Sequence, residues 1–117
     1  MKITILGYLC DLNKYSTAER ANKYKGAKIK KDETERCMLH FLGLKFNPKI
    51  HLTFHWICKS KAKDMDNIAF AKKFILDGIV LAGALSNDGW SEIDGFSDKF
   101  SIDKKNPRIE IEIKEIK

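Results

Sequence analysis

The chain has 117 residues, of which 44% are apolar and 32% charged, and its formal net charge is +6. This length suits one domain with a hydrophobic core and is too short for two. The apolar fraction excludes a disordered chain, and no run approaches the 18 apolar residues that predict a membrane span. The short apolar N-terminus predicts a strand rather than a signal peptide, which favours the cytoplasm. We therefore expect a single domain over residues 1–117.

The positive charge is concentrated in the first half of the chain. Residues 1–63 contain 14 Lys/Arg and 5 Asp/Glu, a balance of +9, whereas residues 64–117 contain 8 and 11, a balance of −3. The densest cations are Arg20, Lys23, Lys25, Lys28, Lys30 and Lys31, and then Lys59, Lys61 and Lys63. Such clusters bind phosphate backbones in a salt-dependent way. A solvated surface that keeps the protein soluble would carry the same composition.

In chain order, the first elements are a strand and a loop. Residues 2–9 alternate and predict a first strand. Residues 10–30 are polar and basic with little apolar periodicity. They predict a long loop, with a short helix around residues 17–24 at most, and a loop of that length in a compact domain is more often functional or mobile than idle.

The middle of the chain predicts a helix, a strand and a second helix. Asp32 or Thr34 can cap a helix over residues 32–42. Residues 49–58 alternate clearly and predict a strand with one buried face. Residues 67–82 carry a single apolar stripe and predict the strongest helix of the chain.

The last third of the chain predicts two more strands. Gly83 is suited to end the preceding helix, and residues 87–89 (Asn-Asp-Gly) predict a tight turn. Residues 90–100 and 108–116 alternate as strands, with a second turn at 104–107. The predicted order is β-loop-α-β-α-β-β. This order indicates an α+β domain in which two main helices pack on a small mixed β-sheet.

A pair of aspartates two residues apart is the most informative feature of the sequence. In an extended segment, Asp64 and Asp66 leave the backbone on the same side, and Asp88 adds a third carboxylate from the later turn. Carboxylates held that closely repel each other unless a cation binds them. Mg²⁺ takes carboxylate oxygens, water and substrate phosphate. Asp66 could instead cap a helix and Asp88 could simply form a turn, but neither role explains Asp64 beside the basic segment 59–63.

Two lysines follow the acidic pair on the predicted helix. Lys73 lies two turns from Asp66 and could neutralise a scissile phosphate. It could equally form an ordinary i,i+4 ion pair with Asp77. Lys72 is the neighbouring alternative for the same catalytic role.

The remaining reactive side chains point to structural roles. The cysteines are odd in number and widely spaced, which predicts buried free thiols at Cys10, Cys37 and Cys58. The histidines are expected at a surface or interface: His40, His51 and His55. Phe54 and Trp56 are expected in the core. Trp90 could stack on a base, but a core position at the start of the next strand is the favoured interpretation.

One run of residues resembles the RusA family of Holliday-junction resolvases. That family has an Asp-x-Asp-Asn opening a helix, a helical lysine, a further helical Asp, and an Asp in a turn after a glycine. The matching residues are Lys63-Asp64-Met65-Asp66-Asn67-Ile68, Lys73, Asp77 and Gly83-Ala84-Leu85-Ser86-Asn87-Asp88. The resemblance covers residues 59–100, and Asn13 after the first strand is compatible with it.

The resemblance implies a small homodimeric endonuclease, often encoded by phages and prophages, that cuts four-way DNA junctions in recombination and repair. It implies one or two Mg²⁺ or Mn²⁺ ions held by Asp64, Asp66 and Asp88, with Lys73 as the catalytic lysine. The lysines expected to contact DNA are Lys28, Lys30, Lys31, Lys59, Lys61, Lys63 and Lys72. Two alternatives stay open: a non-catalytic DNA-binding module of the same fold, and a nuclease acting on other branched or single-stranded DNA.

The predicted strand 49–58 also bears on assembly. Its second face carries His51, Thr53, His55 and Ile57, and this half-polar surface suits a subunit interface. We therefore expect a two-fold homodimer in which each subunit has its own acidic site, both on the same DNA-binding side.

Overall fold

A computed structural model describes all 117 residues and contains four strands, three longer helices and one helix of five residues. In chain order the elements are β1 (Lys2–Leu6), α1 (Leu12–Ala21), α2 (Lys23–Met38), β2 (Ile50–Cys58), α3 (Met65–Ala69), α4 (Lys72–Leu81), β3 (Ile93–Ile102) and β4 (Arg108–Glu115). No helix is long and apolar enough to cross a membrane.

The strands form one mixed sheet in the order β1-β4-β2-β3. Strand β4 is antiparallel to both β1 and β2, whereas β2 and β3 are parallel. A parallel pair needs a crossover that returns the chain to the same end of the sheet. Helices α3 and α4 form that crossover. The prediction of an α+β domain with a small mixed sheet is confirmed.

The core lies between one face of the sheet and the helices. Residues of β2 alternate between buried and partly exposed up to Trp56, as the sequence predicts, and Phe54 and Trp56 are core residues. Ile57, expected on the half-polar face, is also buried. Helix α4 packs against α2 and supplies the buried side chains of Phe74, Ile75 and Ile79. Gly83 follows α4 with a φ of +79°, which confirms its role in ending this helix.

The long loop predicted for residues 10–30 is wrong, because α1 and the first half of α2 occupy it. Helix α1 buries no residue, and α2 buries only Gly26 and Cys37, so neither shows the apolar stripe that reveals a helix in sequence. Both are instead capped by side chains. Asp11 accepts a hydrogen bond from Lys14 N at 2.8 Å, and Asn22 accepts one from the second residue of α2 at 2.8 Å.

The predicted helix over residues 67–82 is divided into α3 and α4. Between them the backbone tightens, with hydrogen bonds from Ala71 N to Ile68 O and from Lys73 N to Phe70 O spanning three residues each. The first helix begins at Met65 and the N-cap position belongs to Asp64, so Asp66 is not the cap residue. The helix expected to reach residue 42 also ends earlier, at residue 38.

The contact between α2 and α4 depends on a glycine. A Cβ on Gly78 would lie 2.7 Å from Cys37 Cβ and 2.9 Å from Met38 N. We predict that Gly78→Ala lowers the free energy of unfolding by about 1–3 kcal/mol, because the two helices must separate. The higher helix propensity of alanine offsets only about 1 kcal/mol of this loss. Urea unfolding measures the change.

Gly89→Ala is the control for this prediction. There the new methyl group would lie 3.5 Å from Asn87 Nδ2 and from Glu92 Oε1, which is ordinary van der Waals contact, and the backbone has no positive φ. We expect a nearly neutral change at this position. Equal losses in the two variants would show that the backbone approach at Gly78 does not limit helix packing.

Candidate functional site

The segment after β2 carries the first two predicted metal ligands. Asp64 occupies the N-cap position of α3, but its side chain makes no capping hydrogen bond, and Asp66 lies in the first turn. Both side chains are exposed. Asp66 Oδ1 accepts a hydrogen bond from Asn67 N at 2.9 Å. Three of the four carboxylate oxygens of the pair are therefore free to accept another partner.

Two polar contacts fix the position of this acidic pair. Asn67 is only 9% exposed, and its Oδ1 accepts a hydrogen bond from Asn13 N at 2.9 Å, which joins the start of α3 to the start of α1. The carboxylate of Asp11 caps α1 and lies 2.6 Å from Lys63 Nζ, in the loop that leads into α3. The two helix starts are therefore held side by side.

The pKa of Asp11 is lowered by these neighbours. Burial opposes ionisation of the carboxyl group, but the hydrogen bond from Lys63, the backbone N–H of Lys14 and the charges of both lysines outweigh it. The carboxylate is therefore ionised at neutral pH, and its charge holds Lys63 in place.

The third predicted ligand lies at the other end of the sheet. Asp88 precedes β3, whose first residues lie beside the start of β2, since Ile50 N donates to Glu92 O at 2.9 Å. The acidic pair instead follows the end of β2. A nine-residue strand spans about 26 Å at ~3.3 Å per residue. The expectation that one chain gathers all three carboxylates is not met, and no three acidic, histidine or cysteine side chains form a metal-binding group.

The three predicted ligands nevertheless share one property. Of the nine aspartates in the chain, six lie 2.6–3.3 Å from a lysine, arginine or histidine nitrogen. The three without such a partner are Asp64, Asp66 and Asp88. In a chain with 22 Lys and Arg residues, these carboxylates keep an uncompensated negative charge.

Lys72 and Lys73 have different surroundings. The ammonium group of Lys72 lies 2.8 Å from Asp98, which also accepts a hydrogen bond from Trp56 Nε1, and it lies over the rings of Phe54 and Phe96. Lys72 is thereby held against the sheet. Lys73 is exposed and forms the i,i+4 ion pair with Asp77 at 3.3 Å, so that part of the sequence interpretation is confirmed.

The predicted DNA-contacting lysines also differ in their partners. Lys28, Lys63 and Lys72 form ion pairs with aspartates. The lysines without an acidic partner, all exposed, are Lys30, Lys31, Lys59 and Lys61. These four ammonium groups are the ones free to meet phosphate.

Trp90 is not a core residue, contrary to the favoured interpretation. It is 91% exposed in the turn before β3 and lies two residues after Asp88. Its ring is therefore available for stacking.

Cys37 and Cys58 are buried free thiols as expected, whereas Cys10 is only partly buried. A cavity of about 510 Å³ is lined by Lys63 and Ile68 but not by Asp64 or Asp66.

Sequence reasoning missed the residues that position the site. The capping role of Asp11 depends on a helix that shows no apolar stripe, so its only signal in the sequence is that aspartate is a preferred N-cap residue. Asn67 was noted only as part of a motif. Its near-complete burial is a tertiary property.

No known protein-family model matches this sequence, and no curated protein is significantly similar to it.

Asp11 offers a test of how the site is held together. Asp11→Ala removes both the cap and the ion pair and should lower stability by about 0.5–2 kcal/mol at pH 7. Asp11→Asn should lose less, because asparagine caps as well as aspartate and only the charge is removed. Urea unfolding at several pH values measures both effects.

The pH dependence has a definite sign. The pKa of Asp11 is lower in the folded protein, so its charge stabilises the fold above about pH 4, the ordinary aspartate range, and this stabilisation is lost as the pH falls through the folded pKa. The difference between wild type and Asp11→Asn should therefore vanish at low pH. A difference that persists unchanged at low pH would contradict this role.

Proposed function

We propose that this chain is a metal-dependent endodeoxyribonuclease of the RusA type that cuts four-way DNA junctions, using Mg²⁺ or Mn²⁺. The observation that carries the proposal is the set of three aspartates without cationic partners, because these are the residues that the resemblance assigns to the metal. Of the six other aspartates, five form an ion pair with a lysine or arginine, and Asp94 lies beside His51.

The donor set fits a hard divalent cation. Asp64 and Asp66 offer exposed carboxylate oxygens, and no cysteine or histidine lies among the assigned ligands. Mg²⁺ and Mn²⁺ prefer oxygen ligands and retain several waters, so a site with few protein ligands suits them. When bound, such an ion supplies an activated water and stabilises charge on a phosphate oxygen.

The protein's own residues would bind and orient the DNA. Lys59 and Lys61, which have no acidic partner, would hold the backbone beside the acidic pair. Lys73 is the better candidate for the lysine that neutralises the scissile phosphate, because its exposed pair with Asp77 is weak and can open. Lys72 is held by Asp98 and two aromatic rings, which favours a structural role for it.

A site that uses all three aspartates requires a second copy of the chain. The acidic pair and Asp88 lie at opposite ends of β2, and a two-fold axis perpendicular to the strands would bring opposite ends of two chains together. The face of the sheet without helices carries His51, Thr53 and His55, and it remains our proposed interface. Each site would then combine Asp64 and Asp66 of one subunit with Asp88 of the other.

Mixing two inactive variants tests this arrangement. Asp66→Asn and Asp88→Asn should each abolish cleavage of a synthetic four-way junction in Mg²⁺ while leaving binding intact, because a ligand is lost and repulsion of phosphate falls. After mixing and exchange of subunits, mixed dimers would contain one intact site. After random exchange, about a quarter of all sites should be active, and each active dimer should cut only one strand of the junction.

Four results would contradict parts of the proposal. Wild-type cleavage by Asp66→Asn alone would remove the residue from the metal site. Absence of activity after mixing, with sedimentation at twice 13.5 kDa confirming dimers, would show that each site belongs to one chain. Cleavage of a fork or linear duplex as fast as the junction would favour the more general nuclease, and binding without any cleavage would favour the non-catalytic module.

The basic segment next to the acidic pair generates a separate prediction. Replacing Lys59 and Lys61 with Gln should weaken junction binding and flatten the plot of log K against log salt by about two units, one for each phosphate contact. Adding Lys63→Gln should change the slope less, because Lys63 is already paired with Asp11.

Replacing Lys23 and Lys25 with Gln removes the same charge at the start of α2, beyond the end of α1 that lies away from α3, and serves as the control. If the control flattens the plot of log K against log salt more than the test variant does, the DNA contact lies away from the acidic pair.

A further inference from the structure

A second cavity, about 380 Å³, lies between α1 and the start of α4. Its walls are aromatic: Tyr15 and Phe70 are partly exposed, with ring centres 5.5 Å apart, and Phe74 forms the buried floor. Lys30 and Lys73 line the same cavity. We call this cavity the aromatic groove.

The charges at the groove favour an anionic occupant that has a flat apolar part. Lys30 has no acidic partner, and the ion pair of Lys73 is exposed. The one carboxylate that lines the groove, Glu19, accepts a hydrogen bond from the hydroxyl group of Tyr15 at 3.2 Å. Aromatic rings beside lysines are the arrangement that binds unpaired nucleotides, with the base on a ring and the phosphate on a cation.

The groove is close in the chain to the proposed catalytic residues: Lys73 lines it, whereas Asp64 and Asp66 do not. Phe70 N donates to Asp66 O at 3.2 Å, and Phe70 O accepts from Lys73 N at 3.1 Å. Phe70 therefore follows a proposed metal ligand by one helical turn and precedes the proposed catalytic lysine by one tighter turn. A base bound on it would belong to a nucleotide next to the scissile phosphate.

We propose that the aromatic groove binds one unstacked base of the DNA strand that is cut. This inference rests on the proposed nuclease function and specifies its substrate: a strand from which a base can leave the helical stack, as at a branch point. A cavity of this size lies within the range of about 300–1,000 Å³ that holds small ligands, so it accommodates one nucleotide but not a duplex.

The experiment compares two single-stranded probes with the same number of phosphates. One is oligothymidine of about 12 nucleotides, and the other has the same length with abasic sites throughout. Binding is measured in Ca²⁺ to prevent cleavage. Wild type should bind oligothymidine at least about 5-fold more tightly for one stacked base. Equal affinity of wild type for the two probes would overturn the proposal.

The variants locate the effect. Phe70→Leu and Tyr15→Leu keep apolar volume but remove a flat ring, so the ratio of the two affinities should fall toward one. Tyr24→Leu removes an exposed ring at the start of α2, away from the groove, and should leave the ratio unchanged. Thermal unfolding of each variant shows that it is folded.

The outcomes separate this inference from the proposed function. If Phe70→Leu and Tyr15→Leu keep the full wild-type ratio, the groove does not stack a base, even if the protein cuts junctions. If the ratio falls as expected but no Mg²⁺-dependent cleavage occurs, the groove is supported as a nucleotide site and the nuclease proposal fails.

Discussion

The parallel pairing of β2 with β3 is the constraint on which the rest of the structure depends. Two parallel neighbours cannot be joined by a hairpin, so the chain must cross the full length of the sheet between them. Helices α3 and α4 make that crossing. The acidic pair therefore lies where the crossover starts and Asp88 lies where it ends, about a strand length apart. This separation is a consequence of topology and would survive any local adjustment of side chains.

The helical layer is held by two kinds of contact. Helix α4 is fixed by apolar packing against the sheet and by its close approach to α2 at Gly78. Helix α1 has no fully buried residue. Polar contacts fix its start, Asp11 with Lys63 and Asn13 with Asn67, and farther along it packs against α2 and places the Tyr15 ring against Phe70 and Phe74. The aromatic groove lies between α1 and the start of α4.

The distribution of ion pairs is informative about function. Unpaired carboxylates on a basic protein forgo a favourable interaction that neighbouring lysines could supply. Among the aspartates, only Asp64, Asp66 and Asp88 lack a basic partner, and they lie at the two ends of the crossover from β2 to β3. A divalent cation would compensate such charges. Because these aspartates are far apart within one chain, the proposed metal site needs a symmetric dimer to bring all three together.

The sequence by itself determined the elements whose side chains alternate or form a stripe. Strands β2 and β4, helix α4 and the end of that helix at Gly83 were predicted because burial on one face leaves a period in the sequence. The aspartates were also recognisable from their spacing. Only the tertiary structure decided the rest. Helix α1 and the first half of α2 carry no apolar period and were predicted as a loop, whereas the second half of α2 was predicted as part of a helix over residues 32–42. Trp90 is exposed because β3 begins three residues after it. Asp88 is remote from Asp64 because the β2–β3 pair is parallel, and strand direction leaves no local signal in the sequence.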